Sequence, residues 1–247
     1  MHSMLRFSIS LAAAAALSAG AALADGAPIR HLVYKFDVSF TTTSTVHSSG
    51  MDGDGPASGT SDYRMGSDDD GTISVDVLQV QPDTGLVVRV SEQARLRRSS
   101  PPTLCVVYGT GSTICDQSHG ELNEEEMTLM RFLGRNFVNT SVMDAKKHWQ
   151  YASTAPQGSE TSDYTVSKVD GNLMNITYQR ELKVAGASPF NATTEGSLSY
   201  NDLLSMPVSV NEDTITQKNG IGGNADKIEQ KVDLSLSSDS MQTAQNH

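Results

Sequence analysis

The sequence predicts a mainly β protein, an antiparallel meander of about ten or eleven strands forming a curved sheet or half-barrel around one central α-helix. Three observations point there. Apolar residues recur with a period of two along most of the chain, tight-turn residues separate those runs, and one mid-chain segment switches to a helical period.

Residues 1–24 read as a signal peptide. Arg6 supplies the positive start, Phe7 to Leu17 a short apolar stretch, and Ala22-Leu23-Ala24 the small residues that a signal peptidase requires. Cleavage before Asp25 leaves no cysteine for a lipid anchor, and no later stretch is apolar enough for a membrane span. The expected localisation is exported, periplasmic or extracellular, in a bacterium. A single antiparallel β domain is expected over 25–237, followed by a flexible tail at 238–247.

Within that domain the even residues of HLVYKFDVSF (Leu32, Tyr34, Phe36, Val38, Phe40) form one apolar face and the odd ones a wet face. Leu86, Val88, Val90, Ala94 and Leu96 repeat the pattern, as do Ile228, Val232, Leu234 and Leu236. In LMNITYQRELKV the apolar face holds Met174, Ile176, Tyr178, Leu182 and Val184, and Arg180 interrupts it. The predicted strands are 31–47, 57–65, 72–80, 86–96, 103–108, 112–116, 160–169, 173–185, 194–201 and 208–217, with 227–237 as an eleventh. Asp170-Gly171 and the run QPDTG (81–85) mark hairpin turns.

The helical segment is LNEEEMTLMRFLGRNFV, 122–138. Asn123 and Glu126 have capping-box spacing, Glu124 to Glu126 suit the positive end of the dipole, and Arg131 lies toward the other end. Its apolar residues span an arc of roughly 240°, far wider than the ~100° stripe of a helix lying on a flat sheet. The helix should therefore be enclosed by a concave sheet, with Gly134 permitting a close approach. Residues 50–71, with six Gly and six Asp, and 219–226 read as loops, the first with a short strand embedded.

The formal net charge of −11 disfavours nucleic acid and anionic lipid surfaces as partners. Cys105 and Cys115 fall opposite one another if Val107 pairs with Thr113 around Gly109-Thr110-Gly111, which predicts a cross-hairpin disulfide in an oxidising compartment. A zinc site would recruit His119 and Asp116 but lacks paired-ligand spacing, and a redox pair would show C-x-x-C. Asp52, Asp54 and Asp68 to Asp70 are candidates for an irregular calcium site, the alternative being a solvated acidic loop. No nucleophile elbow, zinc-protease, phosphate-loop or dinucleotide motif occurs, so no catalytic residue, metal ligand or cofactor is assigned. His47, His119 and His148 are what a hydrolase would have to use. Arg95, Arg97 and Arg98 form a small basic cluster, and Trp149 should be partly buried.

A meander, one enclosed helix and then more antiparallel strands resemble the periplasmic lipoprotein-carrier half-barrels, over most of 31–237. The resemblance implies a non-catalytic envelope protein holding a lipid or other apolar ligand between helix and sheet, lined here by Phe36, Phe40, Met127, Met130, Phe137 and Tyr178. This chain has a single helix and fewer inward aromatics than such a cavity would use. The rival reading is a structural or interaction module that meets another envelope protein through loop 50–71 or a sheet edge. An unrecognised hydrolase is the third.

Overall fold

The computed structural model describes residues 27–49, 58–81, 85–109, 112–116, 121–134, 137–186, 188–219 and 225–241. The proposed signal peptide, Asp52, Asp54, His119 and the last six residues lie outside them. Strands β1 (Arg30–Ser49), β2 (Ser58–Gln81), β3 (Gly85–Ala94), β4 (Thr103–Tyr108) and β5 (Thr113–Cys115) precede helix α1 (Glu124–Phe132). Strands β6 (His148–Ala155), β7 (Gly158–Asp170), β8 (Leu173–Val184), β9 (Phe190–Asn201), β10 (Met206–Asn219) and β11 (Ala225–Asp239) follow it.

All eleven strands form one open antiparallel sheet in the order β5-β4-β3-β2-β1-β11-β10-β9-β8-β7-β6, curved around the helix. Two meanders are thus joined at a seam between the first and last strands, where Phe36 sits opposite Leu234 and Val38 opposite Val232. Beside the seam, Arg30 forms two hydrogen bonds with Asp239, at 3.1 and 2.9 Å.

The expected alternation sets the inner face. Leu32, Tyr34, Phe36 and Val38 of β1, Ile73 and Val75 of β2, Val88 and Val90 of β3, and Val232 and Leu234 of β11 are buried together. The outer face carries Lys35 and Asp37 of β1 and Lys231 and Asp233 of β11, with Asp213 of the neighbouring β10 opposite Lys231. The β7–β8 hairpin turns where Asp170-Gly171 predicts, with Gly171 at φ +59°, a conformation that glycine adopts without a steric penalty.

The strand count of eleven conceals two errors that cancel. The segments expected at 57–65 and 72–80 are one strand, β2, so 58–71 is not a loop. Aspartates disfavour strands, but β1 offers a paired partner to every residue from Ser58 to Val77. The inward Asp69 accepts a 2.7 Å hydrogen bond from Arg97, and Asp70 pairs with Arg95. The second error is a strand that was not predicted. Sheet-edge β6 buries only Trp149 among its eight residues, leaving almost no apolar period to read.

Helix α1 begins as expected: the Glu126 carboxylate accepts the Asn123 backbone N–H at 2.8 Å. It ends at Phe132, six residues before the predicted end at 138. Gly134 has φ +153°, and tertiary partners take over its backbone groups. Its N–H bonds Ser205 O at 3.4 Å, and its carbonyl accepts the Tyr200 hydroxyl at 2.6 Å. A nine-residue helix is too short to persist alone. Burial of Leu129, Met130 and Phe132 against the sheet, each worth about 1.5–3 kcal/mol, holds it in place.

Cys105 and Cys115 are joined by a disulfide, directly opposite one another with Cα atoms 4.0 Å apart. Val107 pairs with Thr113 as the spacing predicts, and Cys105 belongs to the core.

Candidate functional site

The inner face of the sheet has two parts, because the long strands run past the helix. The part beneath α1 is filled. Phe132 meets Phe137 edge to face at 5.1 Å, Phe137 meets Tyr164 and Tyr200, and Trp149 stacks on Tyr164 at 5.1 Å. Of the six side chains predicted to line a ligand site, Phe36, Met130, Phe137 and Tyr178 are buried here, and Met127 packs at the rim. Phe40 lies one cross-strand row further along, at the boundary.

Two groups of buried charges fix the helix. Near its C-terminal end, Arg131 pairs with Glu212 of β10. The same carboxylate accepts the Tyr178 hydroxyl at 2.7 Å and the Thr128 hydroxyl at 2.9 Å. Tyr178 must cross β9 to reach it, and it does so over Gly196, where a Cβ would lie 2.2 Å from the ring. Burial pushes the Glu212 carboxyl up, but Arg131, Arg180 and the two hydroxyls outweigh it and hold it below the usual carboxylate range.

At the N-terminal end Arg97 pairs with Asp69, Glu92 and Glu125. The side chains of Glu92 and Glu125 are wholly buried and share this one cation. Burial and the Glu125 carboxylate push Glu92 up to about 8, against the opposing effects of Asn123 and Arg97. Arg95 and Arg97 of the basic cluster therefore meet the protein's own carboxylates.

Beyond the helix the sheet continues as eight strands, β2-β1-β11-β10-β9-β8-β7-β6. Its inner face is exposed at β2, where Met65 is 76% and Tyr63 62% exposed, whereas Val184 of β8 and Ala192 of β9 are buried. Register places Thr42, Ile228, Thr216, Ala192 and Leu182 in the row of Met65, and Ser44, Asp226, Lys218, Phe190 and Val184 in the row of Tyr63, with the Lys218 ammonium over the Phe190 ring. The row at the boundary runs Phe40, Gln230, Thr214, Thr194, Arg180, Ser162. Arg180, the residue that interrupts the apolar face of β8, is 12% exposed here. Its Nη1 lies 3.9 Å from Glu160 and its Nη2 donates to Thr194 at 3.4 Å.

The remaining candidates form no catalytic constellation among the described residues. His148 contacts Asp144 at 3.7 Å and Asp163 at 3.3 Å on the surface. Of His47 only the backbone, in β1, is described. No group of three or more His, Cys, Asp or Glu side chains among the described residues could hold a metal ion. No helix among them is long and apolar enough to cross a membrane. The residues that sequence reasoning missed are Glu212, Thr128 and Gly196. Their signal is faint: an acidic or glycine residue on the inward phase of an alternating strand.

No family model matches the chain, and no curated protein matches it. Among solved structures it is similar to that described as "Lipid-protein interactions in lipovitellin", with a TM-score of 0.50 and 11% identity over 86% of this chain. The chain spans 25% of the length of that structure, and at this identity the likeness is one of fold.

Proposed function

We propose that this is an exported, non-catalytic bacterial envelope protein that holds a lipid or other apolar ligand on the open part of the inner sheet face. The observation that carries the reading is the exposed continuation of the inner face, where Met65 and Tyr63 are 76% and 62% exposed, in rows shared with or next to those of Phe40, Ile228 and Leu182. Soluble proteins seldom leave a contiguous apolar surface without a partner. The ligand lies beyond α1 rather than beneath it, because the aromatic cluster already occupies the space between helix and sheet. Of the predicted lining residues, Phe40 is the one that borders it. The Ala-rich leader and the disulfide support export. The fold shared with a structure concerned with lipid–protein interactions supports the ligand class.

Native mass spectrometry of protein taken from its own envelope tests the reading, together with titration of the apolar dye Nile red. The expected result is an adduct of lipid mass and saturable dye binding. A ligand-free mass with no dye binding overturns it.

A further inference from the structure

We infer that the ligand is a single-chain amphiphile with a carboxylate head, and that Arg180 receives that head at the boundary between the covered and open parts of the inner face. The inference rests on the reading of the open face as a ligand site.

Among the described residues five arginines have largely buried or half-buried guanidinium groups, and four are completed by the protein itself, Arg89 through two hydrogen bonds to Asp76. Arg30 forms two hydrogen bonds with Asp239 and a 2.9 Å hydrogen bond with the Leu204 carbonyl. Arg97 has three carboxylates and Arg131 has Glu212. Arg180 differs. Its single carboxylate, Glu160, is 3.9 Å away, its bond to Thr194 is 3.4 Å long, and its buried Nε–H has no hydrogen-bond partner among the described residues. An unmet donor on a buried cation is costly, and a charged acceptor relieves that cost most effectively.

The chemistry of the acceptor follows from the surroundings. The Nε and Nη2 edge of a guanidinium presents two parallel donors that match the two oxygens of a carboxylate. Glu160 and Glu212 both act on Arg180, so a doubly charged phosphate would meet more repulsion there than a singly charged carboxylate. Further along the same face lie the apolar Leu182 and Val184 on β8, Ala192 and Phe190 on β9, and Ile228 on β11, with Glu160 at the β7 end of the Leu182 row and Lys218 over the Phe190 ring. A head at Arg180 therefore sends its tail away from the helix, across the small buried side chains of Ala192 and Val184 toward the exposed Met65 and Tyr63 of β2.

Displacement of Nile red by dodecanoate and by dodecanol, which share a tail and differ in the head, tests the inference at pH 7.5. The wild-type protein should prefer the acid by about tenfold or more, the scale of a charge-assisted hydrogen bond. Arg180→Gln should abolish the preference. Glu160→Gln, which frees the guanidinium, should widen it, and this variant provides the test if Arg180→Gln does not fold. Equal displacement by acid and alcohol in the wild type overturns the inference while leaving the apolar site standing. Displacement by neither overturns both.

Discussion

Beneath α1, Arg131, Glu212, Tyr178 and Thr128 complete one another, and the aromatic rings of β6, β7, β8 and β9 close over Phe132 and Phe137. One row beyond, Arg180 of β8 is held loosely, and further along the same inner face Met65 and Tyr63 of β2 are exposed. The two regions share one sheet face and one alternation, and differ in whether an element of the chain lies over them. The polar groups around Glu212 are settled internally, which serves stability. Arg180 at the boundary keeps an unmet donor, as Glu92 and Glu125 at the other end of the helix keep an unmet acceptor each, and only Arg180 adjoins the open part of the face. Stability and ligand affinity should accordingly separate by region.

The largest effect is expected beneath the helix. Arg131→Met leaves the buried Glu212 carboxylate without its cation and should lower unfolding free energy by roughly 3–5 kcal/mol, read from urea denaturation. Reduction of the Cys105–Cys115 bond, which closes the β4–β5 edge beside the covered core, should remove about 2–3 kcal/mol by the same measurement.

The pH dependence of stability should also belong to the covered region. Glu92 has its folded pKa raised from 4.5 to about 8, so the folded state binds the proton more tightly than the unfolded chain. Its contribution is fully present below pH 4.5 and is lost as pH rises through 8. Glu212 has the opposite sign: its lowered pKa gives stability that is lost as pH falls through its folded value. Urea midpoints should fall as pH rises from 4.5 through 8 and fall again as pH drops through the folded Glu212 value, and Glu92→Gln should remove most of the fall between 4.5 and 8.

The smallest stability effect is expected in the open region. Met65 is 76% exposed, so Met65→Asp should change unfolding free energy by less than about 0.5 kcal/mol. Nile red binding should nevertheless weaken several-fold, because a charge now faces the tail. A variant that loses stability and binding together would blur the division between the regions.

Much of this division was legible in the sequence, though not where it matters most. The alternation of Leu32, Tyr34, Phe36, Val38 and Phe40 identifies the inner face, and the wide apolar arc of 122–138 identifies an enclosed helix. The point at which coverage stops was not legible. It depends on Gly134 ending the helix through partners on β9 and in the β9–β10 connection, which no local pattern records. The continuity of β2 was hidden for a related reason: Asp68 to Asp70 read as a loop until β1 and two arginines are placed beside them. Arg180 was visible only as an interruption. Its meaning depends on the register that sets it at the edge of the covered face.

Photo-crosslinking with a diazirine-bearing fatty acid, followed by peptide mapping, tests the separation of the two regions most directly. The account predicts adducts on the open rows, around Tyr63 and Met65 of β2, Leu182 and Val184 of β8 and Ile228 of β11. Adducts concentrated on α1, Glu124–Phe132, would contradict it, as would labelling spread evenly over the surface.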